Sequence, residues 1–528
     1  MTYLRRLLAV ILLALPFAPA TAATPETTLV VAQNIDDIVT IDPATAYEFT
    51  STEYVANTYD MLVRYDATDT TLLVPALATE WTIDPANKAI VFTLREGVTF
   101  HSGNPLRAED VVGSWKRVLD LNQAPAAVLA NLGWTAENIT EMATANGNTV
   151  TVMWNSEVAP SFVLNVLATV PASVVDMVTV MANAKDDDSG TAWLNQNSAG
   201  TGPFKLNQFR PAELLALDAN PAYYGGAPAM ERILIRHVPE AATQRLLLES
   251  GDVDLAMNLT PDQIAGLSGN SAVNVETFPQ SAVHWVSFNQ KVDSLTNPAV
   301  WKAARYLVDY QGMADSFLKG QMRVHQAFWP EGFPSALTDT PYSYDPEKAK
   351  AILADAGVTL PITVTMDVIN AAPFTDMAAS LQQSFATAGI NLEILPGTGA
   401  QVITKYRART HEAMLLYWGP DFVDPHSNAS SFAYNADNSD EAYVSTTTWR
   451  NAWMPPAEIN ALTLAALGEQ DAAKRDQMYL DLQKAMQDEA PYVIMFQAVK
   501  QVAMGQGISG FVNGANPDML FYRLVKKG

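Results

Sequence analysis

Hydrophobic residues recur along this chain with two different periods. A period of two, in which β-branched and apolar residues alternate or cluster, predicts β-strands. It occurs in Ala89–Leu94, Thr149–Trp154, Leu214–Leu217, Ile233–His237, Pro361–Val368 and Asn391–Leu395. Because stretches with a helical period lie between these segments, the pattern predicts mixed α/β lobes.

The helical stretches show recognisable starts and ends. In Ala108–Leu119 the apolar residues recur every three or four positions and so share one helix face. Asp345 is a typical capping residue, Pro346 suits the first turn, and Gly357 suits the left-handed end of the same helix. Further helices are predicted over Ala241–Ser250 and Gln470–Asp488.

The first 22 residues have the composition of a secretory signal peptide. Arg5 and Arg6 precede Leu7–Phe17, which is nearly all apolar but shorter than the roughly 20 residues of a membrane span. The small residues Ala20 and Ala22 then form a cleavage pattern. We expect cleavage after Ala22 and a periplasmic mature protein; the alternative is an N-terminal anchor helix.

The amino-acid composition argues against several classes of binding partner and excludes cysteine chemistry. The chain has 528 residues, 32 basic and 56 acidic, with a formal charge of −24. So acidic a protein repels phosphate backbones and anionic lipid, which argues against nucleic acid and membrane partners. The absence of cysteine excludes disulfides, thiolate metal sites, cysteine nucleophiles and a lipid-modified cysteine. The length suggests about three lobes, at roughly 150 residues each.

No catalytic, cofactor-binding or metal-binding motif in the sequence has the surrounding residues that its chemistry requires. The six histidines are too scattered for a metal motif such as HExxH. Gly505–Gly510 fits GxGxxG, but loop-like residues follow where a dinucleotide fold needs a helix. Ser316–Lys319 fits SxxK without its partner motifs and is interpreted as amphipathic helix. Asp186–Asp188 is interpreted as a solvated turn. We therefore predict no enzyme, cofactor or metal site, although a carboxylate pair of a secreted hydrolase stays an alternative.

One long motif resembles a known family. Phe92–Gly103, followed by Pro105–Val111, resembles the signature of the extracellular solute-binding proteins, family 5, of peptide/nickel ABC transporters, which include dipeptide- and oligopeptide-binding proteins. Other matches follow the family's order: Val74–Trp81, Gly200–Phe204, Asn220–Gly226, Ser250–Asp254, Phe288-Asn289, Tyr344–Lys350, Trp418–Pro425 and Pro491–Val493. These motifs shape turns, strands and helices and need not contact ligand.

The resemblance implies a two-lobe periplasmic-binding-protein fold of type II, similar to cluster C, with an inserted subdomain and two hinge crossings. Lobe I would comprise residues 24–57, 199–280 and 498–528, the insertion 58–198, and lobe III 281–497. The crossings would fall near Phe278–Ala282 and Met495–Val499. Such proteins close around a ligand by hinge motion.

The resemblance also implies a ligand site on Trp418–Pro425. In dipeptide binders this stretch supplies an aspartate for the ligand's α-ammonium, which falls on Asp421 here. Trp418 would add cation–π or packing contact, and Gly419, Pro420 and Phe422 complete this part of the site. Asp424, directly before a proline, is interpreted as a turn former.

Two further features bear on the ligand. Tyr47 and Phe49 match a cleft-lining loop of the family, although packing roles are equally compatible with their sequence. Dipeptide binders also place a carboxylate-binding arginine after the strand that corresponds to Ile362–Val368, and this chain has none there. Arg407 or Arg409 would have to replace it, unless both are surface charges.

The sequence thus predicts a periplasmic component of an ABC importer that captures peptides or a related small solute. Its partners would be the inner-membrane permease and the ATPase subunits, and we expect a monomer that is not an integral membrane protein. Because the arginine is missing, a dedicated receptor for a non-peptide cationic or neutral solute stays an alternative. A periplasmic chaperone or sensor is a third.

Overall fold

The computed structural model describes residues 24–66, 68–69, 72–397, 399–420, 422–442, 446–516 and 519–528. The predicted signal peptide, residues 1–22, and the predicted ligand-binding residue Asp421 lie outside the described residues. None of the helices in the described part of the chain combines the length and hydrophobicity that a membrane span requires.

The strands are numbered in chain order. They are β1 (Thr28–Gln33), β2 (Val63–Tyr65), β3 (Leu73–Pro75), β4 (Ala78–Asp84), β5 (Ala89–Leu94), β6 (Ala143–Asn146), β7 (Thr149–Met153), β8 (Phe204–Arg210), β9 (Leu214–Ala219), β10 (Arg232–His237), β11 (Leu255–Ala256), β12 (Val273–Phe288), β13 (Met322–Val324), β14 (Ile362–Ile369), β15 (Ile390–Gly397), β16 (Ala413–Trp418), β17 (Tyr492–Gly505), β18 (Ile508–Ser509), β19 (Val512–Asn513), β20 (Leu520–Phe521) and β21 (Lys526–Lys527).

The helices follow the same numbering. They are α1 (Phe49–Thr58), α2 (Ala108–Leu121), α3 (Ala126–Ala130), α4 (Ile139–Met142), α5 (Pro160–Leu167), α6 (Met177–Ala182), α7 (Thr191–Leu194), α8 (Ala241–Ser250), α9 (Pro261–Ala265), α10 (Pro298–Ala304), α11 (Tyr310–Asp315), α12 (Pro346–Asp355), α13 (Phe374–Ala386), α14 (Gly399–Arg407), α15 (His426–Phe432), α16 (Thr447–Arg450), α17 (Ala457–Gly468) and α18 (Ala472–Glu489), with 3₁₀ turns at Pro85–Asn87, Val170–Ala172 and Asp293–Leu295.

A single mixed sheet extends through both halves of the molecule. Its order is β15-β14-β16-β12-β17-β11-β1-β10-β9-β8, with β13 added to β17. We call the part with β1 and β8–β11 the β1 half, and the part with β14–β16 the β16 half. β12 and β17 pair antiparallel and belong to both halves, with a register shift between Pro279 and Val283. The shift lies at the predicted crossing Phe278–Ala282; the lobe boundaries stay a prediction.

The two ends of the described chain meet in the β1 half. β1 pairs in parallel with two strands that come much later, with Thr28 opposite Arg232 and Val31 opposite Leu255. The Lys527 ammonium donates to the Asp254 carboxylate and to the Thr28 carbonyl, each at 2.9 Å. The β1 half is therefore assembled from segments that are distant in sequence.

A second sheet, of order β4-β5-β7-β6, lies between α1 and β8 in the chain. α2 packs on it through the buried Val111 and Trp115, and Trp115 Nε1 donates to the Ala172 carbonyl at 3.1 Å. The apolar core of this region continues into the β16 half, because the Phe162 and Phe422 rings meet edge to face at 5.1 Å. The β16 half therefore packs against the inserted region as well as joining the β1 half.

Most elements predicted from the hydrophobic pattern are confirmed. Asp345 accepts the Lys348 N–H at 3.0 Å and caps α12, and Gly357 after that helix has φ of 64°. The GxGxxG segment is a turn between β17 and β18, as its loop-like continuation indicated. The predicted helix over Ser316–Lys319 is wrong, because α11 ends at Asp315 and turns follow.

Candidate ligand-binding site

A cleft opens where the β1 half and the β16 half face each other across β12 and β17. Two cavities occupy it, one of about 420 Å³ and one of about 260 Å³. Lys500, on β17, lines both cavities. The two cavities are therefore adjacent at this lysine beside the crossing strands, and they differ chemically.

The smaller cavity is polar. The end of β1, the loop after it and the first turns of α1 supply its carboxylates and one aromatic ring, the crossing strands supply Lys500, and amides come from these and other segments. The lining includes Gln33, Asp36, Asp37, Phe49, Glu53 and Asn513. We call this the polar cavity.

Glu53 is the central acid of the polar cavity. Its Oε2 accepts a 2.7 Å hydrogen bond from Gln33 Nε2, and its Oε1 lies 4.0 Å from Lys500 Nζ. Burial raises the pKa of Glu53, and neighbouring Asp37 raises it further, while Lys500 and Gln33 act in the opposite direction. The separation from Lys500 leaves the negative charge of Glu53 incompletely compensated.

The larger cavity has an aromatic wall on the β16 half. The His284 and Tyr417 rings stack at 5.5 Å with 16° between their planes, and Phe374 lies 5.3 Å from Tyr417. His284 and Tyr417 are directly opposed on β12 and β16 and therefore share a face of the sheet. Burial lowers the pKa of His284 to about 3, so its imidazole is neutral at physiological pH. We call this the aromatic cavity.

The stretch after β16 packs closely against the crossing strand. A Cβ at Gly419 would lie 2.6 Å from Ser281 Oγ, so a larger residue here would require the Ser281 side chain to move. Trp418 stacks on Phe432 at 6.0 Å, Pro420 is buried, and Phe422 packs on Phe162 as described above. None of these described residues lines either cavity. Their predicted ligand contact stays a prediction, and so does that of Asp421.

The predicted loop residues Tyr47 and Phe49 are both exposed, by 47% and 71%. Phe49 begins α1 and lines the polar cavity, whereas Tyr47 does not. The structure thus places one of the two beside the acids of the cleft and not in a core.

Asp424 has a larger structural role than a turn former. It does form the predicted turn, with Oδ1 accepting the His426 N–H at 2.9 Å. Both of its oxygens also accept from Arg475, at 2.8 and 2.9 Å, and Oδ2 accepts from Asn165 at 3.1 Å. Burial alone would raise its pKa, but Arg475 outweighs burial and the pKa of Asp424 is lowered.

Neither of the two candidate arginines reaches the cleft. Arg409 is buried, pairs with Asp440 at 2.8 Å and stacks on Trp449 at 4.4 Å. Arg407 is exposed in the last turn of α14. Among the described residues that line the two cavities there is no arginine, and the cation is Lys500.

Sequence reasoning missed most of the cleft. Lys500, Gln33, Asp37, Glu53, His284, Phe374 and Tyr417 were not predicted. Only Lys500 could have been found from the sequence, because it is a charged residue directly after the predicted crossing Met495–Val499. The others lie on elements whose meeting depends on the strand order of the sheet.

Comparison with known proteins agrees with this architecture. The family described as "Bacterial extracellular solute-binding proteins, family 5 Middle" matches residues 73–440. The probable D,D-dipeptide-binding periplasmic protein DdpA of Escherichia coli (strain K12) is 28% identical over 513 residues, which cover 96% of each chain.

Solved structures agree with the fold over nearly the whole length. HbpA2 from Haemophilus parasuis superposes with a TM-score of 0.82 at 21% identity, covering 95% of this chain and all of that one. The periplasmic binding protein DppA from Helicobacter pylori, in complex with the peptide STSA, gives 0.73 at 22% identity, covering 95% and 98%. The predicted two-lobe periplasmic-binding-protein fold is confirmed, and the chain belongs to the family 5 bacterial extracellular solute-binding proteins.

Proposed function

We propose that this protein is the periplasmic substrate-binding component of an ABC importer and captures peptides or a related small solute in its interlobe cleft. The observation that carries the proposal is a pair of adjacent cavities at the crossing strands of a family 5 fold. The relatives are named as binding proteins, and we propose no catalytic activity. An inner-membrane permease and its ATPase subunits would receive the solute.

Hinge closure would bring the two walls of the cleft together. The interrupted pairing between Pro279 and Val283 removes ladder hydrogen bonds where the strands cross, so bending there disrupts little pairing. Closure expels water, and polar contacts between ligand and protein become stronger as the local dielectric falls. The aromatic cavity would then pack on apolar parts of the ligand, and the polar cavity would bind its charged or hydrogen-bonding parts.

The ammonium of a peptide would bind Asp421, with Trp418 beside it, as the family resemblance implies. A carboxylate bound by an arginine fork is not part of the proposal, because no arginine is among the described lining residues. This favours ligands in which a terminal carboxylate is not the main anchor, such as longer peptides.

A dedicated receptor for a non-peptide cationic solute is the second candidate. The observation that favours it is the charge of the polar cavity, in which Asp36, Asp37 and Glu53 face a single lysine. A small organic cation would fill this cavity without needing a peptide backbone.

Native mass spectrometry of the mature protein from its own host separates the two candidates. A ladder of bound masses that differ by amino-acid residues supports a peptide receptor, and one defined mass supports a dedicated solute receptor. Failure of the released ligand, and of peptide and amine pools, to bind in calorimetry contradicts both candidates. A ligand that the protein alters chemically contradicts a pure binding role.

A further inference from the structure

The wall of the polar cavity formed by β1 and α1 carries hydrogen-bond acceptors that the fold leaves unused. Gln33 is 2% exposed, and its Oε1 accepts no hydrogen bond from a described residue. Asp37 Oδ2 accepts the Thr50 N–H at 3.1 Å, while its buried Oδ1 likewise lacks a donor within the described chain. Both residues line the cavity, and the two oxygens themselves are buried behind its surface, so a ligand would reach them only when the wall rearranges on closure.

The same wall is short of positive charge. Glu53 faces Lys500 at 4.0 Å, and Asp37 forms no ion pair among the described residues. Asp36, which is exposed, adds a third carboxylate to the lining. One lysine among three acids leaves a net negative cavity, which attracts cations and disfavours anions.

Organic cations have the complementary chemistry. Ammonium and guanidinium groups donate several hydrogen bonds and accept none, so they suit a wall of unused acceptors. Bonds from such donors to a carboxylate are charge-assisted and strong. A metal ion is less suited, because the described residues include no grouping of three acid or histidine ligands close enough to hold one.

We propose that Asp37, Glu53 and Gln33 form a subsite for an ammonium or guanidinium group of the ligand. The inference rests on the proposed function and deepens it by naming the ligand class: a peptide with a lysine or arginine side chain, or an amine-bearing solute. This subsite is separate from the α-ammonium contact proposed for Asp421, so a peptide that fills both carries two cationic groups.

Paired ligands that differ in one charge test the subsite. The probes are Lys-Ala and Ala-Lys against norleucine-Ala and Ala-norleucine, each titrated into the full mature protein by calorimetry. We expect one lysine peptide to bind about thirtyfold or more tightly than its norleucine partner, because only the lysine ammonium can form a buried ion pair with the carboxylates of the polar cavity. Asp37→Asn should abolish that preference.

Matched variants keep the result interpretable. Asparagine retains an oxygen for the Thr50 N–H, so Asp37→Asn should keep the fold, and an unchanged circular dichroism spectrum checks this. Glu48→Gln, on the same loop but outside the cavity lining, makes the same charge change and should keep the lysine preference.

Lys500→Met removes the competing cation and should strengthen lysine binding. Weaker lysine binding in that variant would identify Lys500 as the anchor of an anionic group and overturn the subsite.

The remaining outcomes separate the subsite from the wider function. Norleucine and lysine peptides that bind equally overturn the subsite and leave the peptide receptor intact. If neither dipeptide pair binds, putrescine against butane-1,4-diol, which has no ammonium, decides: equal or absent binding of the two overturns the subsite. Stabilisation by Ca²⁺ alone that Asp37→Asn abolishes would assign the wall to a metal and also overturn the proposal.

Discussion

Asp424 and Glu53 are both buried carboxylates, and the fold compensates their charges to different degrees. Asp424 receives two hydrogen bonds from Arg475 and others from Asn165 and the backbone. Glu53 receives one from Gln33 and faces Lys500 at 4.0 Å. Burial acts on both, yet the pKa of Asp424 is lowered and the pKa of Glu53 is raised. A complete ion pair holds the structure together, whereas an incomplete one beside a cavity remains available to a ligand.

Breaking the complete pair should have the largest effect. Arg475→Met leaves Asp424 charged and buried without its partner, and we expect the free energy of unfolding to fall by about 3–5 kcal/mol in urea denaturation. Lys474→Met is the matched control, because Lys474 is largely exposed and its pair with Glu469 is screened by water, so we expect a much smaller loss. Equal losses for the two variants would contradict the comparison.

Asp421 should matter for binding and not for folding. Asp421→Ala removes the proposed partner of the ligand's α-ammonium, and we expect a loss of about 2–5 kcal/mol in binding free energy by calorimetry. Asp437→Asn, an exposed acid in the same region, should bind as the wild type does. Unchanged affinity in Asp421→Ala would remove this residue from the site.

The incomplete pair should affect stability with the opposite sign. The folded pKa of Glu53 lies above its unfolded value, so the folded state binds more protons and loses stability as pH rises through that interval. Glu53→Gln should therefore be more stable than the wild type at pH 7 to 8, and the difference should close below pH 4.5. Thermal melts across this range measure it; a variant less stable at pH 8 would show that Glu53 stabilises the fold.

The aromatic wall should add acid sensitivity. His284 has a folded pKa of about 3 against an ordinary 6.5, so stability is lost as pH falls between these values. Each such histidine contributes up to about 1.4 kcal/mol per pH unit in that interval. His284→Phe should reduce the slope of stability against pH by up to this amount, and chemical denaturation at pH 4, 5 and 6 tests it. An unchanged slope would mean that His284 is not buried in its neutral form.

The smallest effect is expected at the outer ring of the aromatic wall. Tyr417 is half exposed and stacks on His284, so Tyr417→Ala should weaken binding of peptides with aromatic side chains by about 0.5–1.5 kcal/mol. Tyr344→Ala, an exposed tyrosine outside both cavity linings, is the control. A loss shared by the two variants would show that the effect is not specific to the cleft.

The fold could be predicted much further than the site. Periodicity located strands such as β5 and helices such as α12 because each depends on neighbours in sequence, and the family motifs supplied the lobe arrangement. Gln33 and Glu53 meet because β1 ends beside α1, and they face Lys500 only because β17 passes between the two halves. The family resemblance implies an arginine after β14, whereas the cation that lines the cleft is a lysine on a crossing strand. Contacts of this kind depend on the order of the strands in the sheet, and local sequence patterns do not determine that order.

The assembly of the β1 half also has a kinetic consequence. β1 leads the described chain, but its partners β10 and β11 follow far later, and Lys527 joins the first residues near the last. Contacts between segments so distant in sequence form slowly, because a long loop must close before any of them stabilises the fold. A chain emerging from its N-terminus therefore cannot complete this half until nearly all of it is available. In the export that the first 22 residues predict, that delay would keep the chain extended until its last strand has crossed.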